Sequence, residues 1–255
     1  MGDHSVQVLV AAMNQTDHSL LDRMNIQSDA IIGNQCDYNS VEKFEYDGHS
    51  ITYLNFAERG VGLNRNNALM RATADYCLFA DDDMIYVDGY VEIIENMFVE
   101  TPDADVIIFN LKENNTSRFI VNKAHKVGRL NYLRYGTARI VVKLNSIKKN
   151  GIYFNQCFGG GTEHCHGEDN IFLTQCLNAG LKVYAVPVVI AELTDERKST
   201  WYNGYDEKYL KDQGELYRAI SRKFWRFLCM QDAIRHSKEY KKSAISSYKL
   251  MARGK

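Results

Sequence analysis

The chain has no Cys-x-x-Cys pair, no internal repeat, no low-complexity linker and no apolar run near the roughly 18 residues that cross a bilayer. Its six cysteines (Cys36, Cys77, Cys157, Cys165, Cys176, Cys229) are scattered, several in apolar runs where a reduced thiol packs as a small hydrophobe, which indicates a reducing compartment. The N-terminal MGDHSVQVLVAAM puts Asp3 and His4 where a signal peptide needs a basic flank, so a cytoplasmic chain is expected. The initial Met-Gly lacks a myristoylation motif, because Val6 occupies the Ser/Thr position. Net charge is small as well, −1 over 255 residues, but it is unevenly spread. Residues 218–255 hold eleven Lys and Arg against two Asp and Glu, which leaves the rest of the chain acidic.

What is present is 45% hydrophobic content, ample for a core, arranged as short apolar runs alternating with amphipathic stretches. That is the pattern of βαβ units around a parallel sheet. Strands are expected at 6–12, 30–33, 51–54, 76–80 and 105–111, with helices at 63–73 and 88–98, the second N-capped by Asp88. Residues 112–150 read as strands and loops that extend the sheet. A flexible Gly159-Gly160-Gly161 loop precedes a helix over 168–179 stopped by Gly180, and a strand over 181–190 is interrupted by Pro187. The expected organisation is one domain, 1–215, with a basic helical extension, 216–255.

The run YCLFA feeds directly into Asp81-Asp82-Asp83, placing three carboxylates where a buried parallel strand meets the crevice at its C-terminal edge. Like charges so close need a counter-ion, and hard oxygen ligands suit Mg²⁺ or Mn²⁺, which would in turn hold a diphosphate. A solvated acidic turn capping the next helix explains the triplet equally well at this level.

FADDDM resembles the Asp-x-Asp motif of GT-A glycosyltransferases, the large family 2 above all. The resemblance implies a GT-A fold, an α/β architecture with a single mixed central sheet flanked by helices. It also implies that Asp81 approaches the ribose and metal, that Asp83 binds the metal, and that Asp82 reaches the donor sugar. Upstream, GVGLNRNNAL resembles the family's Gly-x-x-x-Ala-Arg-Asn segment with Asn64 in place of Ala, which assigns Arg65 and Asn66 to the donor diphosphate. Ala11-Ala12-Met13-Asn14 stands where the family carries Pro-Thr-Tyr-Asn, and Asn34-Gln35 where it carries nucleobase-binding acids. Ala11, Met13, Asn14, Asn34 and Gln35 are therefore candidate donor contacts, the amides pairing with a uracil edge, or ordinary polar residues at strand ends.

GTEHCHGEDNIFLTQCL resembles the family's Gly-Glu-Asp segment, which makes Asp169 the general base and places Glu168 beside the acceptor, with Gly160 and Gly161 lining its pocket. A single base acting opposite the leaving group inverts configuration. His164-Cys165-His166 invites a zinc reading, which the alternation of side chains on an extended loop and the lack of a second Cys/His cluster disfavour. A third metal ligand is sought in VPVVIAELTDER, where Glu192 is preferred over Asp195 and Glu196. Trp201, with Tyr202 and Tyr205, either stacks on an acceptor sugar or forms a hydrophobic hinge.

In the tail, Ile220, Phe224, Phe227, Leu228 and Ile234 fall near one helical face with Arg222, Lys223, Arg226 and Arg235 around it. This face either lies on an anionic membrane or packs on the domain; a nucleic-acid partner is not expected, given the acidic remainder. The resemblance thus implies an inverting, metal-dependent hexosyltransferase (EC 2.4) using a UDP-sugar. Its acceptor would be a saccharide, free or on an undecaprenyl-diphosphate carrier at the inner face of the cell membrane, in surface polysaccharide synthesis. Two alternatives stand beside it: a nucleotidyltransferase, although AAMNQTDHS lacks the Gly-rich basic loop of that class, and a non-catalytic sugar-nucleotide-binding protein.

Overall fold

A first strand, β1 (Val6–Met13), is buried along nearly its whole length and therefore must be covered on both faces. The computed structural model, which describes residues 5–113, 119–194 and 204–253, supplies both covers. In chain order the elements are β1, α1 (Leu20–Arg23), β2 (Asp29–Gln35), β3 (Ser40–Tyr46), β4 (His49–Phe56), α2 (Val61–Arg71), β5 (Tyr76–Asp81), β6 (Met84–Tyr86) and α3 (Tyr90–Glu100). There follow β7 (Val106–Lys112), β8 (His125–Val127), β9 (Ile140–Lys143), α4 (Leu144–Lys149), α5 (Glu168–Asn178), β10 (Val183–Leu193), α6 (Glu207–Ile220), α7 (Trp225–Arg235) and α8 (Ala244–Ala252). Two 3-10 turns, Tyr132–Arg134 and Thr137–Arg139, lie between β8 and β9.

The strands form one mixed sheet in the order β3-β4-β2-β1-β5-β9-β7-β10-β6, with β8 also on β10. β4, β2, β1 and β5 run parallel, whereas β9 is antiparallel to both β5 and β7. Alternation along β1 sends Val6, Val8, Val10 and Ala12 into a core with Leu20, Ile94 and Phe98, and Leu9 into an opposite core with Leu69, Phe172 and Cys176. Helices thus flank both faces, which is the expected fold class.

Several local expectations change. Asp88 does not cap α3: Gly89, at φ 71, takes the N-cap position, and the Asp88 carboxylate accepts from Asn25 Nδ2 and Gln27 Nε2 instead. β10 runs straight through Pro187, which is exposed, because register shifts between Ala185 and Val189 absorb the missing donor. Part of the 112–150 stretch is helical, as α4. Gly180 does stop α5: at φ 78 it lets its own N–H reach Leu177 and that of Leu181 reach Cys176.

The tail is not one continuous amphipathic helix, because α6 ends at Ile220, with Ser221 extended, and α7 begins at Trp225. α6 also runs across position 215, so no linker separates an extension there. α6, α7 and α8 bury Leu210, Tyr217, Cys229, Tyr240 and Met251 among themselves. The closest approach is at Gly214, where an added Cβ would lie 1.9 Å from the Met251 carbonyl oxygen, a backbone atom that cannot swing away. Gly214→Ala should therefore cost about 1–3 kcal/mol, lower Tm by several degrees and open α8 to protease. A thermal melt with limited proteolysis checks this, and an unchanged melt would show that α8 shifts freely.

Candidate functional site

Because β1, β2 and β5 are adjacent and parallel, their C-terminal ends gather on one rim, with Met13 opposite Gln35 and Ala11 opposite Asp81. β5 is buried up to Ala80 and Asp81 is its last residue, so Asp82 and Asp83 form the turn into β6. All three acidic residues are partly exposed. Asp82 Oδ2 accepts from the Met13 N–H (3.3 Å) and Gln15 Nε2 (3.2 Å), which ties the turn to the loop after β1. The carbonyl of Asp83 accepts from Thr194 N–H at 2.9 Å, so the end of β10 is pinned beside it.

Arg65, on the first turns of α2, joins the two acidic segments. Its side chain is only 4% exposed; Nη2 donates to Asp81 Oδ1 at 2.6 Å and Nη1 to Glu168 Oε1 at 2.8 Å, and the guanidinium sits over the Phe154 ring. Arg65, expected at a diphosphate, bridges Asp81 at the end of β5 and Glu168 at the start of α5, 16 and 103 residues away along the chain. A planar, two-pronged guanidinium is what such a bridge requires.

Three other donor candidates are buried and hydrogen-bonded within the protein. Asn34, 1% exposed, spends its amide on Gln15 N–H, the Gln15 carbonyl and Asn55 Oδ1. Gln35 is also buried and accepts from the Gly60 N–H, fixing the start of α2. Asn66 is buried and clasps both backbone groups of Phe154. In each case burial forces the amide to find protein partners. Ala11 is buried on β1, leaving Met13, half-buried, and Asn14, exposed at φ 52, on the rim. Asn64, the departure from the family's Ala, donates to the Gly33 carbonyl at 2.7 Å; a Cβ on residue 33 would meet its amide at 2.5 Å.

On the opposite side, the loop before α5 folds on itself and docks on α2 and α6. The Gly160 carbonyl accepts from Val61 N–H, and a Cβ at Gly159, which has φ 100, would strike Val61 and Glu168. Gly161, exposed, lies against Gly60. Asp212 of α6 holds the loop by accepting from Cys165 N–H (3.0 Å) and Lys208 Nζ (2.6 Å), with His164 Nδ1 at 3.3 Å. His166 Nε2 lies 2.7 Å from Gln213 Oε1 and its Nδ1 lies 3.1 Å from the Cys165 thiol, while burial holds the ring's pKa down. A neutral imidazole accepting at Nδ1 and donating at Nε2 fits these contacts. His164, Cys165 and His166 are therefore a strap to α6; among the described residues no group of three or more His, Cys, Asp or Glu could hold a metal ion.

Asp169, on the first turn of α5, accepts from Asn170 N–H at 2.7 Å and lies close to Gly136. Burial first, then repulsion from Glu168, pushes its carboxyl up to about 7, against the weaker pull of Arg65. A carboxylate at that value is suited to accept a proton near neutral pH. Arg65 steadies Glu168, leaving Asp169 as the carboxylate without its own cation partner among the described residues.

Glu192 is not brought to Asp81 and Asp83. Its register partner on β6 is Ile85, and its carboxylate pairs with Lys112 at 2.9 Å, which satisfies the charge on that face of β10. Trp201, with Asp195, Glu196 and Tyr202, lies outside the described residues. Residues that pattern reading missed include Gln15, the hub between Asp82 and Asn34, and Asp212, the anchor of the loop. Neither carries a local motif.

Residues 7–159 match the family described as Glycosyl transferase family 2. No curated protein matches the chain in sequence. Among solved structures, residues 1–349 of S. aureus TarS in complex with UDP-GlcNAc superpose with a TM-score of 0.64 at 12% identity, covering 97% of this chain and 90% of that one. The same TarS fragment with UDP gives a TM-score of 0.63 at 16% identity over 92% and 72% of the two chains. At such identities the likeness establishes the fold.

Proposed function

Since the chain belongs to glycosyl transferase family 2, and is on that ground a glycosyltransferase, we propose that it moves a hexosyl group from a UDP-sugar to a hydroxyl of a saccharide acceptor with inversion. The observation that carries this reading is the Arg65 bridge, which couples the Asp81–Asp83 turn to Glu168 and Asp169 across one rim. TarS was solved with UDP-GlcNAc and with UDP, which favours a uridine donor.

Asp169 takes the acceptor proton as the hydroxyl oxygen attacks the anomeric carbon. The bond from that carbon to the diphosphate oxygen breaks in the same displacement, so an α-linked donor yields a β-linked product. Glu168, held by Arg65, orients the acceptor or the base, while Met13, Asn14 and Asp82 border the donor. Asp81 and Asp83 have the hard carboxylate oxygens that suit Mn²⁺ or Mg²⁺, and two carboxylates plus substrate phosphates satisfy such an ion without Glu192. A bound ion would neutralise charge on the departing nucleoside diphosphate.

The acceptor in this reading is carried on a lipid diphosphate at the inner membrane face, for surface polysaccharide synthesis. None of the described helices is long and apolar enough to cross a membrane. Supporting a peripheral contact, α7 and the turn before it expose Phe224, Phe227, Met230 and Ile234 among Arg222, Lys223, Arg226 and Arg235.

Titration of the protein with UDP-sugars, with and without Mn²⁺, tests the donor reading. Asp83→Ala is expected to weaken Mn²⁺-dependent donor binding at least tenfold. Wild-type affinity in that variant would remove the metal role from the turn.

A further inference from the structure

A cavity of about 530 Å³ opens between the 128–134 segment, the start of α5 and helices α6 and α7. It begins beside the proposed base, since Asn170 lines it and donates through Nδ2 to the Leu133 carbonyl at 3.2 Å. Tyrosines dominate one side: Tyr205, Tyr209 and Tyr240 cluster with ring centroids 5.0 to 6.4 Å apart, and Tyr209 stacks on His166 at 4.3 Å.

Guanidinium groups occupy the two facing walls, Arg129 and Arg134 on the loop and Arg235 on α7, all on exposed residues. Arg134 lies over the Phe119 ring at 4.4 Å, and none of the three is ion-paired with a carboxylate among the described residues. The two acids of the lining do not cancel them. Asp232 is buried and bound by His236 Nδ1 (2.6 Å) and the Tyr240 hydroxyl (2.7 Å), and Glu239 lies 4.0 Å from His236 Nε2. The Asp232 hydrogen bond holds the His236 pKa above its ordinary value.

A cleft with aromatic side chains and opposed, uncompensated guanidinium groups suits a ligand with both sugar-like faces and anionic oxygens. Resting on the transferase reading, we infer that this cavity is the acceptor subsite and that the acceptor is a phosphate-bearing saccharide, its phosphate held between Arg129, Arg134 and Arg235. Arginine serves here better than lysine because its fork matches a phosphate in two places.

The test is ligand-observed NMR on the full chain with saturating UDP, so that phosphate cannot report on the donor rim. Glucose 6-phosphate, glucose and inorganic phosphate are the probes. Glucose 6-phosphate is expected to bind at least tenfold more tightly than either of the others. Arg129→Ala/Arg134→Ala should lose that tenfold advantage, and Arg235→Ala should lose part of it, with Tm and UDP affinity unchanged in both. Equal binding of glucose 6-phosphate and glucose, binding no better than inorganic phosphate, no binding at all, or wild-type affinity in the double variant would each overturn the inference. Failure of UDP to bind would instead sink the donor reading, and the three probes would then be compared without it.

Discussion

Asp169→Asn is expected to leave UDP-sugar affinity intact while lowering transfer by roughly 10²- to 10⁴-fold, the range for losing a positioned base. The amide keeps the shape of the carboxyl and cannot take the acceptor proton. In the native protein the base works only when ionised, and burial followed by Glu168 repulsion places its carboxyl at about 7. Transfer should therefore rise with pH through about 7 and level off above it. Stability runs the other way. The folded chain holds a proton on Asp169 that the unfolded chain, titrating near 3.8, has released, so this group's contribution falls as pH rises from about 4 to about 7. Asn removes that penalty, and the variant's Tm at pH 8 should exceed the native value by roughly 2–5 °C. A pH–rate profile and melts at pH 5 and pH 8 check both halves. Native turnover in Asp169→Asn would take the base away from this residue.

The largest structural effect is expected at Arg65. Arg65→Met fills much of the same space but leaves Asp81 and Glu168 facing each other without a cation, and removing one member of a buried charge cluster costs about 3–5 kcal/mol. For a chain of this size the fall in Tm is around 10 °C. Arg65→Lys keeps the charge but reaches only one carboxylate, so it should recover part of the stability and little of the activity. A melt that barely moves in Arg65→Met would mean that solvent already screens the pair.

The strands that cross the sheet centre were legible because they are continuous apolar runs, and β1, β5 and β7 lie within a residue or two of where the pattern puts them. β3 was missed because it is an edge strand that alternates half-buried and exposed positions, carries Glu42, Lys43 and Glu45, and lacks an apolar run. The acidic turn was legible as well, since a strand ending in three carboxylates is a local signal. Arg65, Glu168 and Asp212 are another matter. Which carboxylate a guanidinium meets depends on α2, α5 and α6 converging, and no spacing along the chain encodes that. Amides misled for a related reason: Asn34, Gln35 and Asn66 look like ligand groups in a string of letters, yet burial commits them to backbone partners. The tail was half legible, its charge and its aromatic residues evident but its breaks at Ser221 and Phe224 hidden in a helical periodicity that continues across them.

The contact between Gly33 and Asn64 also couples two positions. A Cβ at position 33 would lie 2.5 Å from the Asn64 amide. A side chain at 33 is therefore accommodated only if the Asn64 amide swings aside. Swinging aside would break the hydrogen bond from Asn64 Nδ2 to the Gly33 carbonyl, so each of the two residues limits what the other can be.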